Sequence, residues 1–175
     1  ETINNKYKYV PTDVDYYADI ERNVDAPHFK SMLTWYKSYF TDNDPNELGA
    51  SVLIPIGSIR ALRNISDASK AGTVILAGDK ANCHPNAFRG LVDPHFAIHG
   101  SFSVMANFHA IGVYCTSRGG FYMHNQAEEA SLQVSCFVIP PTDGRKSDGD
   151  DVVDFLKDEG LAKVAGERAS EFPLF

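Results

Sequence analysis

The chain has 175 residues, 43% of them hydrophobic, so it can bury one sizeable core but is short for two full domains. Its 16 basic and 23 acidic side chains give a formal charge of -7, which would repel a phosphate backbone and argues against a nucleic-acid partner. No apolar run approaches the roughly 20 residues that a membrane-spanning helix needs, so we predict a soluble protein without a membrane partner.

Residues 1–25 are rich in Tyr, Asn and Asp and show no sustained hydrophobic period, so we interpret them as an arm lying over a larger body. Because the chain starts at Glu1 and not at Met, we expect that it was processed or trimmed, or that it continues upstream. Apolar side chains then recur at three- and four-residue steps, which predicts an amphipathic helix over residues 26–40. They are Phe29, Met32, Leu33, Tyr36 and Phe40. The polar segment 41–49 predicts a turn.

A strand, a helix and a second strand are predicted next. The apolar run at residues 52–56 predicts a strand, and Ile59, Leu62 and Ile65 follow it at helical spacing. A second apolar run at residues 73–78 predicts the other strand. Because neither run alternates with polar residues, we expect a βαβ unit whose strands are buried on both faces of a parallel sheet.

A further helix is predicted beyond the proline-containing loop at residues 80–98. It would begin near Ser101 or Ser103 as the N-cap and end at the Gly119-Gly120 pair. Its predicted apolar set is Phe102, Met105, Phe108 (or His109), Ile111 and Tyr114.

The last predicted sheet element is an antiparallel hairpin formed by residues 121–126 and 131–140. Residues 141–175 predict a polar linker followed by one more helix. The apolar set of that helix is Val152, Val153, Phe155, Leu156, Leu161 and Val164. The expected organisation is therefore an N-terminal arm, an α/β domain over residues 26–140, and a linker with a C-terminal helix.

Three cysteines, an odd number, indicate reduced thiols better than a disulfide framework, since two of them lie inside apolar runs. They are Cys83, Cys115 and Cys136. The opening segment also lacks the hydrophobic region of a signal peptide. Together these features predict an intracellular protein of the cytoplasm or of an organelle matrix.

Three segments carry a family resemblance: VLIPIGSIRALRNI, TVILAGDKA and HGSFSVMANFHAIGVYCTSRGG. The third combines a small polar lead, an aromatic residue at Phe108, a helix and the Gly119-Gly120 exit. In these features residues 50–140 resemble the later part of the MidA-like S-adenosylmethionine-dependent methyltransferases and of related bacterial methyltransferase-like proteins. The chain departs from that family at Asn107, where MidA-like enzymes tend to carry an aspartate.

The resemblance implies an α/β fold, a Rossmann-like partial sheet in the order strand, helix, strand, helix, hairpin, with flanking helices. It looks like the C-terminal half of a class I methyltransferase. It also implies binding of S-adenosylmethionine and methyl transfer, in the mitochondrial relative to an arginine of a respiratory-complex subunit. Such sites use a glycine-rich turn after the first strand. No G-x-G-x-G occurs in this chain, so we expect a protein partner or a missing N-terminal half to supply it.

Candidate site residues follow from the rule that ligands bind beyond the carboxyl ends of the strands in open α/β sheets. Arg60 could orient a carboxylate and Asp79 an amine, although charged loop residues such as Asp79 and Lys80 often only cap and solvate a loop. The resemblance would place His99 and Asn107 on the acceptor side of a cleft. The full candidate set is Ser58, Arg60, Asp79, Lys80, His99, Ser101 and Asn107.

Two other patterns suggest different chemistry. His95 and His99 have the H-x3-H spacing of zinc ligands, with Cys83 as a further candidate, but Pro94 and the lack of a second compact pair favour structural histidines and no metal site. His99 and Ser101 suggest a nucleophilic hydrolase, but the strained G-x-S-x-G turn is missing, and a helix-capping serine is the simpler interpretation.

Two functions therefore remain open. The chain could be a methyltransferase-like protein, active only if another segment or chain supplies the missing strands. Alternatively, it could be a non-catalytic binding or assembly module that keeps the sheet as a scaffold and pairs through an uncovered edge with a partner. An oligomer is compatible with either function.

Overall fold

A computed structural model describes residues 6–16, 26–42, 48–69, 71–91, 93, 97–98, 102–125 and 132–141. In chain order, the described elements are α1 (Ala26–Asp42), α2 (Ile56–Ala68), β1 (Thr73–Asn82), a 3-10 helix (Pro85–Phe88), β2 (Ala97–Ile98), β3 (Phe102–Ser103), β4 (Ala106–Asn107), α3 (Phe108–Ser117), β5 (Phe121–His124) and β6 (Leu132–Ile139). The predicted α/β class is confirmed. The predicted C-terminal helix lies outside the described residues.

One mixed sheet, in the strand order β4-β1-β6-β5, organises the fold. β1 and β6 pair antiparallel, from Thr73 opposite Ile139 to Lys80 opposite Leu132. β5 pairs antiparallel with the other side of β6, which confirms the predicted hairpin. β4 pairs parallel with the end of β1, and β2 and β3 form a separate two-stranded ribbon.

The predicted strand at residues 52–56 does not form, and the prediction of a parallel βαβ unit is wrong. Pro55 has no backbone N–H for a sheet ladder, and the N–H of Ile56 bonds to the carbonyl of Ile54 at 2.9 Å. The segment therefore turns directly into α2, where Ile59 and Leu62 are buried, as their helical spacing predicts. The long partner of β1 is the antiparallel strand β6.

The expectation that β1 is buried on both faces is also wrong. Burial alternates over the first half of the strand, where the side chains of Val74 and Leu76 are exposed while their neighbours are partly covered. The physical reason is the placement of the helices: α3 packs on the sheet, and α1 and α2 pack against α3. Among the described elements, one sheet face is therefore covered and the other is not.

The helix α3 begins at Phe108, later than predicted, because residues 102–103 and 106–107 lie in β3 and β4. Its N-cap is Asn107, whose Oδ1 accepts the N–H of Ala110 at 2.9 Å. Ser103 belongs to β3, and Ser101 lies outside the described residues, so the expected serine cap is not observed. The predicted exit is confirmed, since Gly119 takes the left-handed conformation (φ 79°) that ends helices.

The amphipathic helix predicted for residues 26–40 is confirmed as α1 and supplies a large part of the core. Phe29, Met32 and Tyr36 are buried on its inner side, at the three- and four-residue steps of one face. Further buried apolar residues come from the sheet and from the other helices: Ile59, Leu62, Ala81, Phe88, Phe108, Ala110, Ile111, Tyr114, Cys115, Phe137 and Ile139. Of the arm, the described Asp15 forms an ion pair with Lys30 at 2.7 Å.

The three cysteines are free, as predicted, and burial raises the pKa of the Cys115 thiol to about 12. No helix in the described part of the chain is both long and apolar enough to cross a membrane. The cytoplasmic or matrix location stays a prediction.

Candidate functional site

The parallel strands β1 and β4 end side by side, with Asn82 opposite Asn107. In open α/β sheets the carboxyl ends of parallel strands are where ligands bind. A small pocket of about 40 Å3 opens at this point, which we call the Asn82–Asn107 edge. Its lining residues are Ser51, Leu53, Asn82, Phe88, Leu91, Met105 and Asn107. The pocket can hold a few water molecules or the tip of one side chain.

Asn107 is fixed on three sides. Its Nδ2 donates to the carbonyl oxygen of Leu53 at 2.9 Å, and its Oδ1 accepts from the N–H of Ala110 at 2.9 Å and from the hydroxyl of Tyr36 at 3.5 Å. An aspartate could accept the same two bonds but could not donate the one to Leu53. The structure thus gives a physical reason for the amide at this position.

Asn82 is the more available of the two carboxamides. It is half-buried in the pocket wall, and among the described residues no hydrogen bond engages its side chain. Sequence reasoning missed Asn82 because it ended the strand at Gly78, where the apolar run stops. The available signal was Ala81, an apolar residue that returns after Asp79 and Lys80 and is buried in the strand.

Behind Asn107 lies a buried contact between α1 and α3. The Tyr36 hydroxyl and Nδ1 of His109 are 2.8 Å apart, with the donor set by the histidine tautomer. Burial raises the pKa of Tyr36, while burial, followed by the nearby His124 and His84, lowers the pKa of His109 to about 3. Both side chains are therefore neutral at pH 7. The Tyr36 hydroxyl holds Asn107 in place, and His109 holds Tyr36. The pKa of His109 is too low for a general base, which needs a pKa closer to neutrality.

A second polar cluster lies under the hairpin. His124 Nδ1 is 2.6 Å from the Ser135 hydroxyl, and Cys83 Sγ is 3.9 Å from the same oxygen. The first distance suits a nucleophile and its base, but both residues are buried, and His124 Nε2 has no hydrogen-bond partner within the described residues. Burial lowers the pKa of His124 to about 4. In the part of the chain that the structure describes, no carboxylate orients His124, and the Ser135 hydroxyl is closed to solvent, so these contacts act there as packing.

The predicted site residues are not gathered in one place. Asn107 lines the pocket, whereas Ser58 and Arg60 lie on the exposed side of α2. Asp79 and Lys80 are exposed inside β1, which continues to Asn82, so they do not follow the end of a strand.

The carboxylate of Asp79 accepts the N–H of Lys80 at 2.7 Å. This local bond fits the alternative interpretation, in which Asp79 and Lys80 are only solvent-exposed capping residues. His99 and Ser101, like His95, lie outside the described residues. Within the described ranges, no three His, Cys, Asp or Glu side chains converge as metal ligands would.

No protein-family model, curated protein or solved structure matches the chain.

Proposed function

We propose that the chain is the acceptor-side half of a methyltransferase-like α/β domain, in which the Asn82–Asn107 edge receives the tip of an acceptor side chain. The observation that supports this function is the pocket at the paired carboxyl ends of β1 and β4. The proposal includes the assignment of this fold as the Rossmann-like C-terminal half of a class I methyltransferase. It is supported by the three sequence segments and by the order β1, α3 and terminal hairpin.

The pocket at the Asn82–Asn107 edge does not fit S-adenosylmethionine itself. A nucleoside-sized ligand needs a pocket of roughly 300 Å3 or more, and this one has about 40 Å3. The glycine-rich turn is also missing from the sequence. We therefore assign no step of cofactor chemistry to these residues. In the proposal, another segment or chain holds the methyl donor, while this chain binds and orients the acceptor.

The acceptor that best suits the pocket is a cationic side chain with an apolar stem, such as arginine. Leu53, Phe88, Leu91 and Met105 form apolar walls that would cover the stem, and Asn82 offers a carbonyl oxygen to an N–H donor. The formal charge of -7 would attract a basic peptide over longer distances. The family resemblance points to the same acceptor chemistry.

Titration with a blocked Gly-Arg-Gly peptide, followed by NMR of the side-chain amides, tests the proposal. We expect the Asn82 and Asn107 amide signals to shift, and Asn82→Ala to weaken binding about tenfold, the size of one hydrogen bond to a charged group. Asn64→Ala is the matched control, since Asn64 is exposed on α2. A Gly-Glu-Gly peptide should not bind. Unchanged binding by Asn82→Ala would refute the site.

Calorimetry with S-adenosylmethionine separates the two parts of the proposal. We expect no detectable binding by this chain alone, because neither the pocket nor the sequence provides a cofactor site. Tight binding of S-adenosylmethionine by the chain alone would contradict the proposal that another segment or chain holds the methyl donor.

The alternative function, a non-catalytic binding or assembly module, is favoured by a different observation. The uncovered sheet face carries apolar side chains, among them Val74 and Leu76. Such a surface is typical of protein contacts. This alternative requires the face to be free in the intact chain, and it would be excluded by a monomer whose sheet face is covered.

A further inference from the structure

The side of the sheet that no described element covers is a surface of mainly apolar residues. In an antiparallel pair, residues opposite each other point to the same side, so the register of β1 and β6 groups alternate residues on one face. We call these residues the open face: Val74, Leu76, Gly78, Lys80, Leu132, Val134, Cys136 and Val138. Four of its apolar side chains are largely exposed: Val74 (67%), Leu76 (76%), Leu132 (54%) and Val134 (48%).

At the start of β6 the usual arrangement, with apolar side chains inside and polar ones outside, is reversed. Gln133 and Ser135 point into the protein and are buried, whereas Leu132 and Val134 point outward and are exposed. An antiparallel sheet with one solvated face normally carries polar residues on that face. Apart from Lys80 at one end, the open face thus has the composition of a buried surface, and a covering element is expected.

The chain itself carries a segment of suitable character. Residues 142–175 lie outside the described residues, and the sequence predicts an amphipathic helix within them, with apolar side chains from Val152 to Val164. An amphipathic helix needs an apolar surface to cover its own apolar side. The predicted helix and the open face therefore belong to one chain, and each has an apolar surface that the other can cover.

The geometry of the chain exit allows the two to meet. Pro141, the last described residue, lies against Gly72 at the start of β1 and so at the Val74 end of the open face. The linker 142–150 can span up to about 30 Å. A helix over residues 151–164 is about 21 Å long, and the stretch from Val74 to Lys80 covers about 20 Å.

We propose that residues 151–164 pack as a helix on the open face and form a third layer of the domain. This inference does not depend on the Asn82–Asn107 edge binding an acceptor. It bears on the assembly alternative, because a face that is covered within the chain is not available to a partner.

The test uses the thiol of Cys136, which lies on the open face. In the full chain we expect its alkylation, followed by mass spectrometry, to be slow. Leu156→Asp should accelerate it at least tenfold and increase binding of an apolar dye. Asp158→Lys is the matched control, since at helical spacing it lies opposite Leu156 and its neighbours, and it should change neither readout. Cys83, on the other side of the sheet, is the internal reference thiol.

Two results would overturn the proposal. The first is equal alkylation of Cys136 in the full chain and in both variants. The second is a dimer of the full chain that Leu76→Asp separates into monomers, because a second copy would then occupy the face. Trp35 fluorescence monitors folding in every variant, since this ring packs against Tyr36 and His109 at the contact between α1 and α3.

Discussion

Asn107 Nδ2 donates a 2.9 Å hydrogen bond to the carbonyl oxygen of Leu53, and this bond ties the end of β4 to the segment that leads into α2. The same carboxamide caps α3 through Oδ1. One side chain therefore acts as donor and acceptor at once, in the wall of the pocket at the ends of β1 and β4. An amide meets both demands, and a carboxylate meets only one.

The first prediction follows from this pair of bonds. Asn107→Asp keeps the helix cap but places a carboxylate oxygen against the Leu53 carbonyl, so we expect a loss of about 1–3 kcal/mol in the free energy of unfolding at pH 7. Urea denaturation measures it. Asn64→Asp, at an exposed position, should change stability by less than about 0.5 kcal/mol. Equal stability of Asn107→Asp and the parent would show that the Leu53 bond is dispensable.

The second prediction concerns the Tyr36 hydroxyl. Tyr36→Phe leaves His109 Nδ1 buried without its partner, and we expect a cost of about 1–3 kcal/mol. The matched change is Tyr39→Phe, which removes a 2.7 Å bond to Asn86 at the exposed surface and should cost less than about 1 kcal/mol. Thermal or urea unfolding compares the two. A larger loss for Tyr39→Phe would contradict the assignment of Tyr36 as the support of the site.

The third prediction is a loss of stability in mild acid. In the unfolded chain both imidazoles titrate near pH 6.5, whereas in the folded chain burial lowers the pKa of His124 to about 4 and that of His109 to about 3. The stability from these neutral histidines is fully present above about pH 6.5 and is lost as the pH falls towards 4. By pH 5 each costs about 2 kcal/mol.

His109→Asn tests this directly, because the asparagine cannot titrate. We expect the stability difference between pH 8 and pH 5 to become smaller by about 2 kcal/mol than in the parent. Unfolding curves at a series of pH values provide the measurement. An unchanged pH dependence would mean that His109 takes up its proton without unfolding the chain.

The fourth prediction compares two glycines. A Cβ at Gly120 would overlap the carbonyl oxygen of Val138 in the neighbouring strand, so Gly120→Ala should cost about 3 kcal/mol or displace the hairpin. A Cβ at Gly57 meets nothing within 4 Å, and Gly57→Ala in the first turn of α2 should gain about 0.5 kcal/mol. Thermal unfolding of both variants is sufficient. Similar effects of the two changes would rule out the close approach at Gly120.

Local patterns in the sequence were enough for several elements. The three- and four-residue spacing of Phe29, Met32 and Tyr36 predicted α1, and two apolar runs with a short connection predicted the hairpin of β5 and β6. The Gly119 exit of α3 was predicted for a local reason as well, because the left-handed conformation favours glycine. Each of these features depends on neighbours within a few residues along the chain.

The tertiary structure alone decided which residues pair, which face is buried and which side chains meet. Residues 52–56 and 73–78 are similar apolar runs, yet only the second forms a strand, because only it has a partner in β6, more than 50 residues later. Asn82 and Asn107 meet for the same reason. Backbone hydrogen bonds between distant segments leave no periodic trace in either segment, so their register, and with it the candidate site, emerges only when the chain is folded.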